Sequence, residues 1–189
     1  MKKLFALLVL ALPLAAAEPN SDIHNALRAL RARALEAANK GDIDGVLATM
    51  HPNVVVTWHN AEVSHGRDAV RKYLERQLKG PDPIVKSYHA DFVVDELTQL
   101  YGPNTGIAWG SSTETYDLGR RGKFTLPGRW SATIVNDNGQ WLLASLHTST
   151  DMFDNPLLNS AKRCIWIAAA IAAVVGLIVG WLIGRRVRR

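Results

Sequence analysis

Twenty consecutive residues without a charge, Cys164 to Ile183, constrain this chain more than any other feature. At about 1.5 Å per residue such a run crosses a hydrocarbon core of about 30 Å as an α-helix, which satisfies its own backbone groups in lipid. Arg185, Arg186, Arg188 and Arg189 behind it outnumber Lys162 and Arg163 in front. Basic flanks stay on the cytoplasmic side, so the tail 184–189 is expected inside and the preceding domain outside. The other end of the chain agrees. Met1-Lys2-Lys3 is basic, Leu4 to Leu14 is apolar, and Ala15-Ala16-Ala17 offers a small-residue cleavage site, so residues 1–17 read as a signal peptide. The expectation is a single-pass protein of a bacterial inner membrane, with residues 18–160 as a soluble domain on its periplasmic or extracytoplasmic side. Gly176, Gly180 and Gly184 recur every fourth residue of the span, a spacing that lets two helix backbones approach or simply reflects the glycine content of membrane helices.

The net charge of +5 belongs to the targeting segments. Eight of the 22 basic residues lie in the signal and the tail flanks, whereas all 17 acidic residues lie in the domain, which is left near −3. A nucleic-acid partner is excluded, because tracking phosphates needs clustered positive charge. The one cysteine, Cys164, sits at the membrane border, so the domain has no internal disulfide and rests on an apolar core.

Within the domain, Ile23, Leu27, Leu30, Ala34 and Ala37 follow the helical period and Gly41 ends the helix; Asp42 caps a second with Ile43, Val46, Leu47 and Met50. His51-Pro52 stops it, a strand runs from Asn53 to Trp58, and Gly66 opens a third helix that Gly80-Pro81-Asp82-Pro83 ends. Four long alternating runs follow: Ile84 to Tyr101, Thr105 to Leu118, Lys123 to Val135 and Gln140 to Thr150. Three helices before a long antiparallel meander make an α+β fold, in which a strongly curved sheet closed by the helices forms a cone with a pocket inside.

That element order resembles the cone-shaped, cystatin-like folds of nuclear transport factor 2, ketosteroid isomerase and the SnoaL-like proteins. The motifs that carry the resemblance are Asn39-Lys40-Gly41-Asp42 with Val46-Leu47 and His51-Pro52, Gly66-Arg67-Asp68-Ala69-Val70, and Gly128-Arg129-Trp130-Ser131-Ala132 followed by Asn138-Gly139-Gln140-Trp141 and His147-Thr148-Ser149. The resemblance implies the fold and a homodimer paired through the open sheet. It leaves the activity open among isomerases, cyclases, dehydratases, binders and dimerisation modules.

Two residues are candidates for moving a proton. Glu114 lies mid-strand, where burial would raise its pKa and make it a base, unless it pairs with Arg129 or Arg121. His147 shares a strand face with Trp141, Leu143, Ser145 and Ser149, and titrates near neutrality. His89, on a polar face with Ser87 and Asp91, is a candidate ligand contact, as are the walls Trp58, Trp109 and Trp130. The histidines lack metal-ligand spacing apart from His59 and His65, so neither metal nor cofactor is expected. Taken together, the residues point to a membrane-anchored domain that holds a small, partly apolar molecule or a partner at the membrane surface. A proton-transfer enzyme of the isomerase, dehydratase or cyclase type is the alternative, and a structural dimerisation module the third.

Overall fold

The computed structural model describes residues 20–81 and 83–187. The signal-peptide reading of 1–17, Asp82 of the turn after the third helix, and Arg188 and Arg189 of the tail lie outside the described residues.

Helix α1 (Ser21–Lys40) turns Leu27, Leu30 and Ala37 inward and ends where Gly41 takes a left-handed φ of 66°. Asp42 caps α2 (Ile43–Ala48) by accepting the Gly45 N–H at 2.9 Å. Strand β1 (Met50–Thr57) then folds back on a short β2 (Val63–His65) before α3 (Gly66–Leu78), whose Val70 is fully buried. The meander is β3 (Ser87–Val94), β4 (Gln99–Leu100), β5 (Thr105–Asp117), β6 (Lys123–Asp137) and β7 (Gln140–Ser149), and α4 (Pro156–Val187) leaves the domain.

The strands form one curled sheet in the order β2-β1-β7-β6-β5-β3, with β4 also on β5. Its strand β1 starts at Met50 rather than Asn53, so His51-Pro52 lies in the strand and not at the end of α2, and β2 is an unexpected strand; two larger departures concern the later strands. The expected run Ile84 to Tyr101 is two strands, because the edge backbone crosses so close to β5 at Gly110 that a Cβ there would overlap the Val93 carbonyl. Past that crossing Asp95 N–H still reaches the Trp109 carbonyl, the chain bends away over residues 96–98, and it returns opposite Gly106 and Ile107. Second, the sheet is not wholly antiparallel, since β1 and β7 run parallel. The hairpin β1–β2 and the crossing of α3 intervene before the meander, so its last strand closes against β1 in the same direction.

Two apolar clusters hold the layers together. Leu27 and Leu30 of α1 meet Ala108, Trp130, Ala132, Ile134 and Trp141 of the sheet. Ile43 and Leu47 of α2 meet Met50, Val54, Val56 and Val70. Asn39, at the end of α1, clips the edge strand with two hydrogen bonds: its Nδ2 donates to the Ala90 carbonyl at 2.9 Å and its Oδ1 accepts the Ala90 N–H at 2.7 Å. Beyond its first turn the C-terminal helix stands apart. It is long and apolar enough over Pro156–Arg186 to cross a membrane, its most apolar stretch has a mean hydropathy of 2.5, and none of that stretch is buried.

Candidate functional site

Between the helices and the concave sheet lies a cavity of about 790 Å³. Its walls are mostly apolar: Leu27 and Leu30 from α1, Ile43 and Val46 from α2, Leu74 and Leu78 from α3, and Phe92, Ala108, Leu126, Trp130, Leu143 and Leu146 from the strands. Volume and lining fall within the range of small-molecule pockets.

Against this apolar wall stands one buried carboxylate. On β5 the period of two puts Ser112, Glu114 and Tyr116 on the inner face, and Tyr88 of β3 sits directly opposite Tyr116. Glu114, only 3% exposed, accepts four hydrogen bonds. Its Oε1 takes His59 Nε2 at 2.8 Å and Ser112 Oγ at 3.1 Å, and its Oε2 takes the hydroxyls of Tyr88 at 2.8 Å and Tyr116 at 2.7 Å. His59 comes from the turn after β1, which is closed by Trp58 N–H to the Glu62 carbonyl and allows Ala61 a positive φ. Gly128 makes room for the cluster: a Cβ there would sit 2.8 Å from Ser112 Oγ and 3.3 Å from His59 Cε1.

The electrostatics differ from the sequence expectation. Burial alone would raise the Glu114 pKa, yet hydrogen bonds from His59, Tyr116 and Tyr88, with the electrostatic attraction of His59, outweigh it and hold the group below its ordinary 4.5. Glu114 is therefore ionised at neutral pH, and neither Arg129, which pairs with Asp95, nor Arg121 is among its hydrogen-bond partners. Desolvation, reinforced by the Glu114 charge, drives both tyrosines far up, so both hydroxyls keep their protons. An ionised carboxylate only accepts, so His59 Nε2 donates, and in the neutral form of the ring Nδ1 holds a lone pair. That Nδ1 is the one buried side-chain polar atom without a partner among the described residues. Beside the cluster Trp58 stacks on Tyr73 at 4.1 Å and donates to Ser64 Oγ at 2.9 Å, while burial pushes the Tyr73 hydroxyl up to about 12.

The family model for the SnoaL-like domain matches residues 32–125. The chain carries a SnoaL-like domain. No curated protein matches the sequence. Solved structures share the fold of the SnoaL-like domain at low identity. A protein provisionally described as a scytalone dehydratase, from Novosphingobium aromaticivorans, is 15% identical with a TM-score of 0.61 over 69% of this chain and 85% of that one. A ketosteroid isomerase-like protein from Erwinia carotovora atroseptica is 15% identical with a TM-score of 0.59, over 69% and 97%. A cystatin-like domain of unknown function from Nostoc punctiforme is 14% identical with a TM-score of 0.58, over 85% and 96%.

The SnoaL-like domain gathers some of the residues singled out in the sequence and scatters others. Glu114, Trp58 and Trp130 line the cavity; Trp130 meets Phe92 at 5.9 Å and donates to the Ser111 carbonyl at 3.0 Å. His89 is exposed on the outer face opposite Thr115, and Trp109 lies on that face opposite Ser131. His147 is exposed too, and the cause is a bulge. The register between β6 and β7 slips between Thr133 and Ile134, where Ala144 is left over, so Leu143 faces inward with Leu146 and Thr148, and His147 turns out. The strict alternation expected for β7 fails at that residue. Tyr116 and Ser112 follow from Glu114 by strand period, whereas Tyr88 and His59 reach it only through tertiary structure.

Proposed function

We propose that this SnoaL-like domain binds a small, mostly apolar molecule carrying a hydroxyl group, with the body in the cavity and the hydroxyl against Tyr88, Tyr116 and His59. The observation that carries this reading is the direction of the protons. Every donor of the cluster points at Glu114, so what remains for a ligand is lone pairs: the two phenolic oxygens and His59 Nδ1. A ligand group that donates is complementary, and one that only accepts is not. Holding an ionised carboxylate in such a wall costs several kcal/mol that an apolar side chain would avoid, which favours a role in recognition over one in packing. The C-terminal helix is read as the membrane anchor, with its arginine-rich end in the cytoplasm.

The test compares dodecanol with dodecyl methyl ether as competitors for a fluorescent apolar probe bound to the fragment Glu18–Ser160. The alcohol should bind about tenfold tighter, the factor a hydrogen bond worth about 1.4 kcal/mol provides. Ala108→Trp, which fills the cavity, should abolish both. Equal binding of alcohol and ether contradicts the reading.

The His59–Glu114 dyad favours proton transfer as a second reading. Nδ1 takes a proton from the bound molecule, the ring becomes an imidazolium, and the carboxylate at 2.8 Å stabilises it. Glu114 then positions and stabilises the base and is not itself the base. A dehydratase-described and an isomerase-like protein share this fold. Once a substrate is in hand, Glu114→Gln should lower kcat more than it raises KM; a pure KM effect would leave binding as the whole function.

A further inference from the structure

Leu157 belongs both to the cavity wall and to the first turn of α4. It is 55% exposed, so the cavity wall reaches the surface where α4 leaves the domain. Cys164, where the uncharged run begins, lies seven positions after Leu157. That is about 10 Å of helix, against a bilayer polar zone of about 5–8 Å on each side.

The connection between sheet and helix is tied by hydrogen bonds. Thr150 Oγ1 donates to the Pro127 carbonyl at 2.8 Å, and the Asp151 carboxylate accepts the N–H groups of Phe153 and Asp154 at 2.7 and 3.1 Å. Asn155 donates to the Asp151 carbonyl at 2.8 Å and caps α4 by accepting the Leu158 N–H at 2.9 Å. The same connector exposes Met152 and Phe153, 71% and 76%, a few residues before Leu157. In water these side chains are unfavourable, and at a membrane interface they are not.

We propose that the cavity opens onto the bilayer surface and receives a membrane-dissolved apolar alcohol directly from the adjacent leaflet. This deepens the ligand reading above and rests on it, and on α4 being inserted. At roughly 30 Å³ per water-sized group the cavity holds about 25 such groups, and an apolar molecule of that size concentrates in lipid by about 0.8 kcal/mol per CH₂. A mouth at headgroup level spares it the passage through water.

The test uses the full chain with Cys164→Ser, reconstituted in vesicles of phosphatidylethanolamine and phosphatidylglycerol. Nitroxide labels are placed singly through Phe153→Cys, Met152→Cys and Asn138→Cys, the last on the β6–β7 turn at the other end of β6 from Pro127. Labels at 152 and 153 should report headgroup depth by preferring oxygen over a water-soluble nickel relaxant, while 138 stays in water. All three in water overturns the placement. A diazirine-bearing dodecanol dissolved in the same vesicles should label cavity peptides on irradiation. Met152→Glu with Phe153→Glu, neither of which lines the cavity, should cut that labelling about tenfold in vesicles and leave it unchanged in detergent. Unchanged labelling in both media overturns loading from the leaflet. Absence of labelling even in detergent removes the ligand reading instead, and the depth measurement still decides where the mouth sits.

Discussion

Glu114 gains its character from its neighbours. Its folded pKa is lowered, so the stability it contributes is complete above the ordinary value of 4.5 and is lost as pH falls through the lower folded value. Wild type should accordingly lose melting temperature more steeply than Glu114→Gln below about pH 4.5, and the two curves should run parallel from pH 6 to 8. Parallel curves throughout would mean that the carboxylate is not held ionised by its donors. Tyr88 and Tyr116 need no pH in this range to act, since both remain neutral hydroxyls. Glu114 was legible in the sequence as an acid in mid-strand, and its two neighbours on β5 follow from the same alternation. His59 was visible only as a histidine near a turn, because what brings it to Glu114 is the path of the chain after β1.

At the scale of elements, the helices and most of the meander were legible because their apolar periods, the turn residues Gly41 and Asn138-Gly139, and the Asp42 cap are local signals. The bulge at Ala144 and the break after Val94 were not. Each arises where backbone meets backbone, at the β6–β7 register slip and at Gly110 against Val93, and no side-chain pattern records that. The bulge keeps His147 out of the cavity lining, whereas His89 lies outside it by simple alternation within β3, whose inward face no local signal marks. The Asn39 clip is the opposite case, a local motif with a tertiary role. Asn39→Ala leaves the Ala90 N–H and carbonyl without their partner and should cost about 1–3 kcal/mol in denaturant unfolding. A change within 0.3 kcal/mol would show water replacing the amide at no cost.

For the whole molecule, the outer face of the sheet is the part that the pocket does not explain. Val93 and Ile107 are 51% and 36% exposed there, and Trp109 lies between them in the sheet. We expect two copies to pair through this face, burying several hundred Å² each. Light scattering should find the fragment Glu18–Ser160 dimeric at high micromolar concentration, and Trp109→Glu should make it monomeric; a monomeric wild-type fragment would remove this expectation. Pocket, cluster and anchor converge on one claim, that the cavity takes an apolar molecule by a donating hydroxyl. Nitrogen-15 NMR of histidine-labelled fragment tests it most directly. The His59 Nδ1 resonance should be that of an unprotonated nitrogen, should shift toward the protonated position with dodecanol and should not move with dodecyl methyl ether. An Nδ1 that already carries the proton, or the same shift with both ligands, would contradict it.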